Sequence, residues 1–388
     1  MSERFEKRAP GLGCPRYLRV AFIGTQNPQQ SASQSKLYHL ARCLADAGHE
    51  VTLIVPEDPI NRTFPVIRGS EVKFRGIKAP SAIAEAFNKH RQLADACFDV
   101  VHVVGIGLRS LVSAGRPWHR PFYVQDYDEA MTTNAGSASR RLYYGILEIL
   151  TRQRAHGVVV ASRALQRFLL ECRPDLGPRL LYLPIGYDAS FENGRTDLDA
   201  PIARSAGDRP VLVWAGTFRP GYGVNELVDL AEALASRSAR CLLMLVGGGP
   251  DFEETKVVIK HKGLDEYVLL PGTQSLSDLH AYLRIATAFL LPFSPTRQNL
   301  FRCPTKLFQY IAYNRPIVTN RVGEVAETLG DAGFYCECGN ARSMADTCQR
   351  AIAAAGSYDQ SALIPSVYWS ARARRYRAWL ESNVPLRS

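Results

Sequence analysis

Pro210-Val-Leu-Val-Trp-Ala-Gly216 is an apolar run of strand length that ends in glycine. A helical stretch follows, with Leu227, Leu230, Ala231 and Leu234 on one face, and then the apolar run Cys241–Val246. Strand, loop, helix and strand in that order make the repeating unit of a parallel sheet. The same unit stands near the start of the chain. Tyr17-Leu-Arg-Val-Ala-Phe-Ile-Gly24 leads into a polar loop, Thr25 to Ser35, and a helix carrying Leu37, Leu40, Ala41 and Leu44. Gly48 stops that helix, and Val51-Thr-Leu-Ile-Val55 is the next strand. A unit that opens twice predicts an α/β chain of two Rossmann-like parallel-sheet domains facing a central cleft.

Further strands fit Val100–Val104, Phe122–Val124, Gly157–Ala161 and Leu180–Leu183 in the first half. Val268–Leu270, Ala288–Leu291 and Pro316–Thr319 fit the second. A linker near Pro184–Asp188 divides a first domain, 17–185, from a second, 186–365. A basic, aromatic helix, Ser366 to Glu381, within 366–388, is expected to return to the first domain. The length of 388 residues, with 46% hydrophobic and 22% charged, suits two ordinary globular cores.

Several classes are disfavoured. No apolar run approaches the ~20 residues of a membrane span. Met1 to Tyr17 carries Glu3, Arg4, Glu6, Lys7 and Arg8 with no apolar stretch, unlike an export signal. The nine cysteines are scattered and odd in number, which suits reduced thiols in a cytoplasmic protein. Cys336 and Cys338 lack a His or second Cys pair at zinc spacing, so no metal site is expected. The net charge of +10 includes a dense basic stretch from Arg140 to Arg179, suited to an anionic membrane surface or phosphorylated substrates. No zinc finger or RNP-type run supports nucleic acid.

In open α/β sheets ligands bind beyond the carboxyl ends of the strands. That selects Gly24–Ser35, His102–Gly107 and Gln125–Glu129 in the first half. In the second it selects Gly216–Gly223, Gly247–Pro250, Gly272–Ser275 and Ser294–Gln309. The strongest local signal is Arg302-Cys-Pro-Thr-Lys-Leu-Phe-Gln-Tyr-Ile-Ala-Tyr-Asn-Arg-Pro-Ile-Val318. Pro304 fits the first turn of a helix, and the free N–H groups near Thr305, Lys306 and Leu307 form an anion site suited to a diphosphate. Lys306 and Arg302 add charge, and Gln309 offers an amide to sugar hydroxyls. The apolar positions Leu307, Ile311 and Ala312 are core in either case.

This segment resembles the matching block of GT-B glycosyltransferases of the family 4 type. Other blocks resemble that family in order: Leu44-Ala-Asp-Ala-Gly-His-Glu-Val51, Phe98-Asp-Val-Val-His102, Leu183-Pro-Ile-Gly-Tyr-Asp188, Leu245-Val-Gly-Gly-Gly-Pro250 and Tyr368-Trp-Ser370. The resemblance spans roughly residues 18 to 380. It implies a retaining, metal-independent transferase with no cofactor, using a nucleotide-diphosphate sugar as substrate. Gln309 would then contact ribose, Thr305 to Leu307 the diphosphate, and Gly272 to Gln274 the base. Gly216, Thr217, Arg219, Gly248, Gly249, Thr273 and Arg302 would complete the donor site. Asp126, Lys306 and Gln309 would carry the chemistry. Ser33, His102, Asp128 and Glu129 would line the acceptor side, where a sugar-containing, lipid-linked or cell-envelope acceptor would bind.

The chain departs from the family at several points. Gln309 stands where a Glu is usual, and no carboxylate lies near Asn299–Phe301 for the second. Tyr222 takes the basic position of the phosphate clamp. Ser31-Ala32 replaces a glycine pair, and Gln125 or Asp126 stands where His is common. Arg219, Arg297, Arg302 and Lys306 are candidates to restore the missing charge. Two alternatives follow: a non-catalytic, nucleotide-sugar-binding partner of another transferase, or a nucleotide-sugar epimerase using His102.

Overall fold

A computed structural model of the protein describes residues 17–24, 32–56, 72–77, 82–94, 97–105, 121–128, 132, 136–189, 194, 196–197 and 200–385. The chain divides into two compact units. The first comprises Met1–Asp126, Leu150–Gly157 and Arg375–Ser388, and the second Tyr127–Ile149 and Val158–Arg374.

The first sheet holds β1 (Arg19–Ile23), β2 (Glu50–Pro56), β3 (Val72–Ile77), β4 (Val100–Val104), β5 (Phe122–Tyr127), β6 (Gly157–Val160) and β7 (Leu180–Tyr182). Their order is β3-β2-β1-β4-β5-β6-β7. Helices α1 (Ala32–Asp46), α2 (Ala82–Ala94), α3 (Ala138–Arg154) and α4 (Arg163–Cys172) alternate with them. The short helix α5 (Ala200–Ala206) precedes the second sheet.

That sheet holds β8 (Val211–Ala215), β9 (Leu242–Val246), β10 (Val268–Gly272), β11 (Ala288–Leu291), β12 (Ile317–Thr319) and β13 (Phe334–Tyr335), in the order β10-β9-β8-β11-β12-β13. Its helices are α6 (Val224–Ala235), α7 (Phe252–His261), α8 (Leu276–Arg284), α9 (Arg297–Phe301), α10 (Thr305–Ala312), α11 (Gly323–Leu329) and α12 (Ala341–Ala354). The chain closes with α13 (Ile364–Val367) and α14 (Trp369–Asn383).

Every strand pairing described in either sheet is parallel. The expected two-sheet α/β architecture is present. In each sheet the strand order reverses beside the opening strand, between β1 and β4 and between β8 and β11. Such a reversal splays the loops at the carboxyl ends and leaves a crevice there.

Burial explains why these segments fold as they do. All five residues of β8 and all five of β9 are buried, as expected of strands with helices on both faces. α6 turns Leu227, Leu230, Ala231 and Leu234 onto this sheet, where Met344, Ala345 and Cys348 of α12 join the same core. Sequence periodicity located that face correctly. The eight cysteines among the described residues are all free thiols.

The structure differs from expectation at several boundaries. α1 begins at Ala32, so its first turn takes the end of the stretch read as loop; residues 25–31 lie outside the described part. Strands β3 and β13 have no counterpart in the sequence reading. Val72-Lys-Phe-Arg-Gly-Ile77 mixes charge and glycine into its run, and β13 has only two residues. The final helix starts at Trp369, after the separate turn α13. Met1 to Arg16, with the leader reading made there, also lies outside the described residues.

Candidate functional site

In the second unit, three loops are laced together at the carboxyl edge of the sheet. Gly216 N–H donates to Val246 O at 2.9 Å, Phe218 N–H to Gly248 O at 2.9 Å, and Gly247 N–H to Gly272 O at 2.9 Å. Gly247 has φ 138°, and a Cβ on it would run into the Gly216 carbonyl. Only glycine allows that approach. Gly216, Gly248, Gly249, Thr273 and Gln274 are therefore brought to one edge. Thr217 and Thr273 are exposed there. Gln274 is tied back, its amide donating to Pro271 O at 2.8 Å.

Helix α10 meets this edge at the point of strand reversal. The Tyr310 hydroxyl accepts the Ala215 N–H at 2.9 Å, and its ring stacks on Phe289 of β11 with centroids 4.2 Å apart. Leu307, Phe308, Tyr310 and Ile311 are buried, which fixes the helix axis. Pro304 sits one residue earlier than expected, as the N-cap, with no side-chain capping bond. Leu307 N–H closes onto Pro304 O at 3.1 Å, so Thr305 and Lys306 carry the open backbone donors at this helix start.

The side chain of Lys306 runs back to Gly216. Its Nζ lies 4.1 Å from the centre of the Trp214 ring and occupies the space a Cβ on Gly216 would need. Burial lowers the ammonium pKa, and the nearby Arg302 charge lowers it further, to about 7. The Trp214 face gives back part of the lost hydration, about 0.5–2 kcal/mol.

Tyr222, in the expected clamp position, gathers cations instead of supplying one. Arg219 lies 5.0 Å from its ring centre, Arg302 4.8 Å and Lys306 5.9 Å. Arg302 also covers Phe293, just past β11, at 5.2 Å. Its Nε is buried with no hydrogen-bond partner among the described residues. No ion pair is found for Arg219, Arg302 or Lys306 among the described residues. Three cations on one aromatic ring without a carboxylate repel one another, so an anion is the ligand that such a cluster favours. Arg297, the fourth candidate, lies exposed in the first turn of α9 and shows no ring contact among the described residues.

Gln309 is half-buried on α10 with no side-chain hydrogen bond among the described residues. Asn299 is buried, and its amide donates to Ser294 O at 2.9 Å. Thus the place where a second carboxylate was sought holds a structural amide.

In the first unit, Asp126 ends up at the centre of a sealed network. Lys36 Nζ donates to Asp126 Oδ1 at 2.6 Å, and His102 Nε2 meets Oδ2 at 3.1 Å. His102 Nδ1 meets the Tyr376 hydroxyl at 2.6 Å. All four side chains are fully buried. Burial alone would raise the Asp126 carboxyl, but Lys36 and the His102 bond hold it below the ordinary range. Asp126 and His102 were expected toward an acceptor; here their polar atoms are spent on one another. Gln125 is likewise engaged, donating to Gly105 O at 3.0 Å. Asp128 is partly exposed at the end of β5, Ser33 lies in α1 with its side chain outside the described part, and Glu129 lies outside the described residues.

Sequence reasoning missed Trp214, Phe293 and Lys36. A strand tryptophan and a helix lysine read as core and surface, and only their tertiary neighbours reveal otherwise. It also missed Glu324, fully buried in the second unit. Burial pushes its carboxyl up, against the Tyr182 hydroxyl and the Arg163 N–H that hydrogen-bond to it.

The chain is similar to known proteins in both halves. Residues 209–354 match the family model described as Glycosyl transferases group 1, and residues 33–186 match the Glycosyl transferase 4-like domain. N-acetyl-alpha-D-glucosaminyl L-malate synthase of Bacillus anthracis is 25% identical over 177 residues, 45% of this chain and 44% of that protein. Phosphatidyl-myo-inositol mannosyltransferase of Mycolicibacterium smegmatis is 25% identical over 234 residues, 57% of this chain and 56% of that protein. The chain thus spans about half the length of the curated relatives it matches. Among solved structures, the Anabaena protein HepE in complex with UDP and glucose aligns with TM-score 0.71 at 14% identity, covering 94% of this chain and all of that one, a likeness of fold.

Proposed function

Because the chain belongs to the group 1 glycosyltransferases of GT-B type, we propose that it moves a sugar from a nucleotide-diphosphate donor to an acceptor hydroxyl, retaining the anomeric configuration. The observation that carries this is the group of Lys306, Arg302 and Arg219 around Tyr222, which has no ion pair among the described residues, beside the Gly216 turn. A diphosphate supplies the opposite charge that this group lacks, and the open N–H groups of Thr305 and Lys306 add hydrogen bonds.

The chemistry then runs on one face of the sugar. The bond between the anomeric carbon and the β-phosphate oxygen breaks as the acceptor oxygen bonds to that carbon. The acceptor proton passes to the departing phosphate oxygen. Such a path needs stabilised phosphate charge and positioning, which Lys306 and Arg302 provide, rather than a protein nucleophile. Neither a metal nor a cofactor is assigned a role. Gln309 orients the donor by its free amide. Asp126 and His102 serve by shaping the first unit, their polar atoms being fully engaged. The relatives that act on phosphatidylinositol, by their names, favour a lipid-linked acceptor met at a membrane surface.

The test is release of nucleoside diphosphate from a panel of nucleotide-sugars, with isothermal binding of UDP and GDP alongside. A protein that binds none of them would end this proposal. A second reading, a binding partner without turnover, is favoured by Gln309 and by the structural use of Asn299. If turnover appears only in the Gln309→Glu, Tyr222→Lys double variant, that second reading holds.

A further inference from the structure

Few large apolar side chains are exposed among the described residues, yet Leu142, Tyr143, Ile146, Ile149 and Leu150 all lie on the single helix α3. Their spacing of i, i+1, i+4, i+7 and i+8 puts them on one face. Leu142 is 68% exposed and Ile146 50%. A contiguous stripe of this kind marks an interaction surface rather than an ordinary solvated face.

Charge identifies the occupant. Arg140 and Arg141 are exposed at the start of α3 and Arg154 at its end. At about 100° per residue, Arg154 falls next to the Tyr143–Leu150 border of the stripe and Arg140 somewhat beyond it, whereas Arg141 shares the face of Glu148. The only acid of the helix, Glu148, is buried on the opposite face, accepting from the Thr132 N–H at 3.2 Å and hydroxyl at 3.3 Å. An apolar stripe with arginine along one border and its one carboxylate turned away suits a helix lying in the headgroup layer. A second copy of the chain on the same stripe would find no carboxylate on it to meet these arginines. No described helix is long and apolar enough to cross a membrane, so the contact is one of lying on it.

We propose that α3 docks on an anionic membrane, burying Leu142, Ile146 and Ile149 among the acyl chains, with Arg140 and Arg154 on lipid phosphates. This deepens the reading of a lipid-linked acceptor and names the surface that would bring the enzyme to it. The full chain is co-sedimented with vesicles of phosphatidylcholine and phosphatidylglycerol in equal parts, and with phosphatidylcholine alone. Binding is expected only to the anionic vesicles and is expected to weaken with salt. Leu142→Glu and Ile146→Glu should each raise the lipid needed for half-binding at least ~10-fold. Arg140→Glu with Arg154→Glu should abolish the salt-sensitive part.

Nucleotide-sugar binding is measured on the same preparations and should not change, since these residues lie outside the donor site. Wild-type protein that binds a nucleotide-sugar but ignores anionic vesicles at low salt overturns the membrane proposal and leaves the transferase reading standing. Vesicle binding without nucleotide-sugar binding does the reverse. Self-association that disappears in Ile146→Glu, without lipid binding, would make the stripe an interface between copies and overturn the proposal as well.

Discussion

The Lys306 ammonium stands over the Trp214 ring, 4.1 Å from its centre, in the space that any side chain at position 216 would require. The glycine that ends β8 is therefore needed for more than its turn. It admits a cation from another helix to the sheet edge. Replacing Lys306 by Met keeps the length and removes the charge. Affinity for UDP or GDP is expected to fall about 10–100-fold. The thermal midpoint should not fall, because a desolvated cation next to Arg302 is removed. Calorimetry of both quantities checks this.

The pH dependence follows from the same group. With its pKa lowered to about 7, Lys306 is protonated in the free protein below pH 7 and largely neutral above it. A diphosphate restores the charge, so binding at about pH 8 should take up close to one proton. Affinity should then decline by up to tenfold per pH unit above 7, until the pKa of the complex is reached. For folding the sign is also fixed. The unfolded chain holds this proton to higher pH than the folded one, so the Lys306 contribution to stability rises between pH 7 and 10.5. Titration calorimetry in buffers of different ionisation enthalpy reads the proton count.

Tyr222→Leu removes the ring shared by Arg219 and Arg302. The guanidinium groups lose their platform, and the donor KM should rise roughly 5-fold, about 1 kcal/mol, with little change in folding stability. An unchanged KM would show that Phe293 alone suffices to hold Arg302.

Asp126→Asn removes the carboxylate that the buried Lys36 ammonium meets at 2.6 Å. Stability should drop about 3–5 kcal/mol, and the double variant with Lys36→Met should recover much of it. Denaturant titration of the parent, both single variants and the double variant measures the coupling. Because the folded Asp126 carboxyl is held low, its contribution is present at neutral pH and is lost as pH falls through that lowered value.

Tyr310→Phe deletes the acceptor of the buried Ala215 N–H. The cost should be about 1–3 kcal/mol. Weaker donor binding should accompany it, since the same hydroxyl fixes α10 and with it Lys306.

Much of this was legible in the sequence. Apolar runs ending in glycine, such as Val211 to Gly216, announced strands and the loops that carry the site. Leu227, Leu230 and Leu234 announced the helix behind them. The Pro304–Lys306 helix start could be read because capping and charge are local properties. What stayed hidden is what depends on distant partners. Tyr222 reads as a lost cation, yet it gathers Arg219 and Arg302 from two different loops. Asp126 reads as a free acid, but Lys36, His102 and Tyr376 come from three other segments to enclose it. Strand β3 was hidden because Lys73 and Arg75 interrupt its apolar pattern.

The bond between Ala215 and Tyr310 joins positions 95 residues apart. On a ribosome, β8 therefore emerges long before the helix that fastens to its end. A nascent chain halted anywhere between Gly216 and Lys306 has the glycine turn but neither the cation nor its anchor. The phosphate cradle is one of the last parts of the second unit to form, so a truncated product should fail to capture nucleotide however well its early strands have paired.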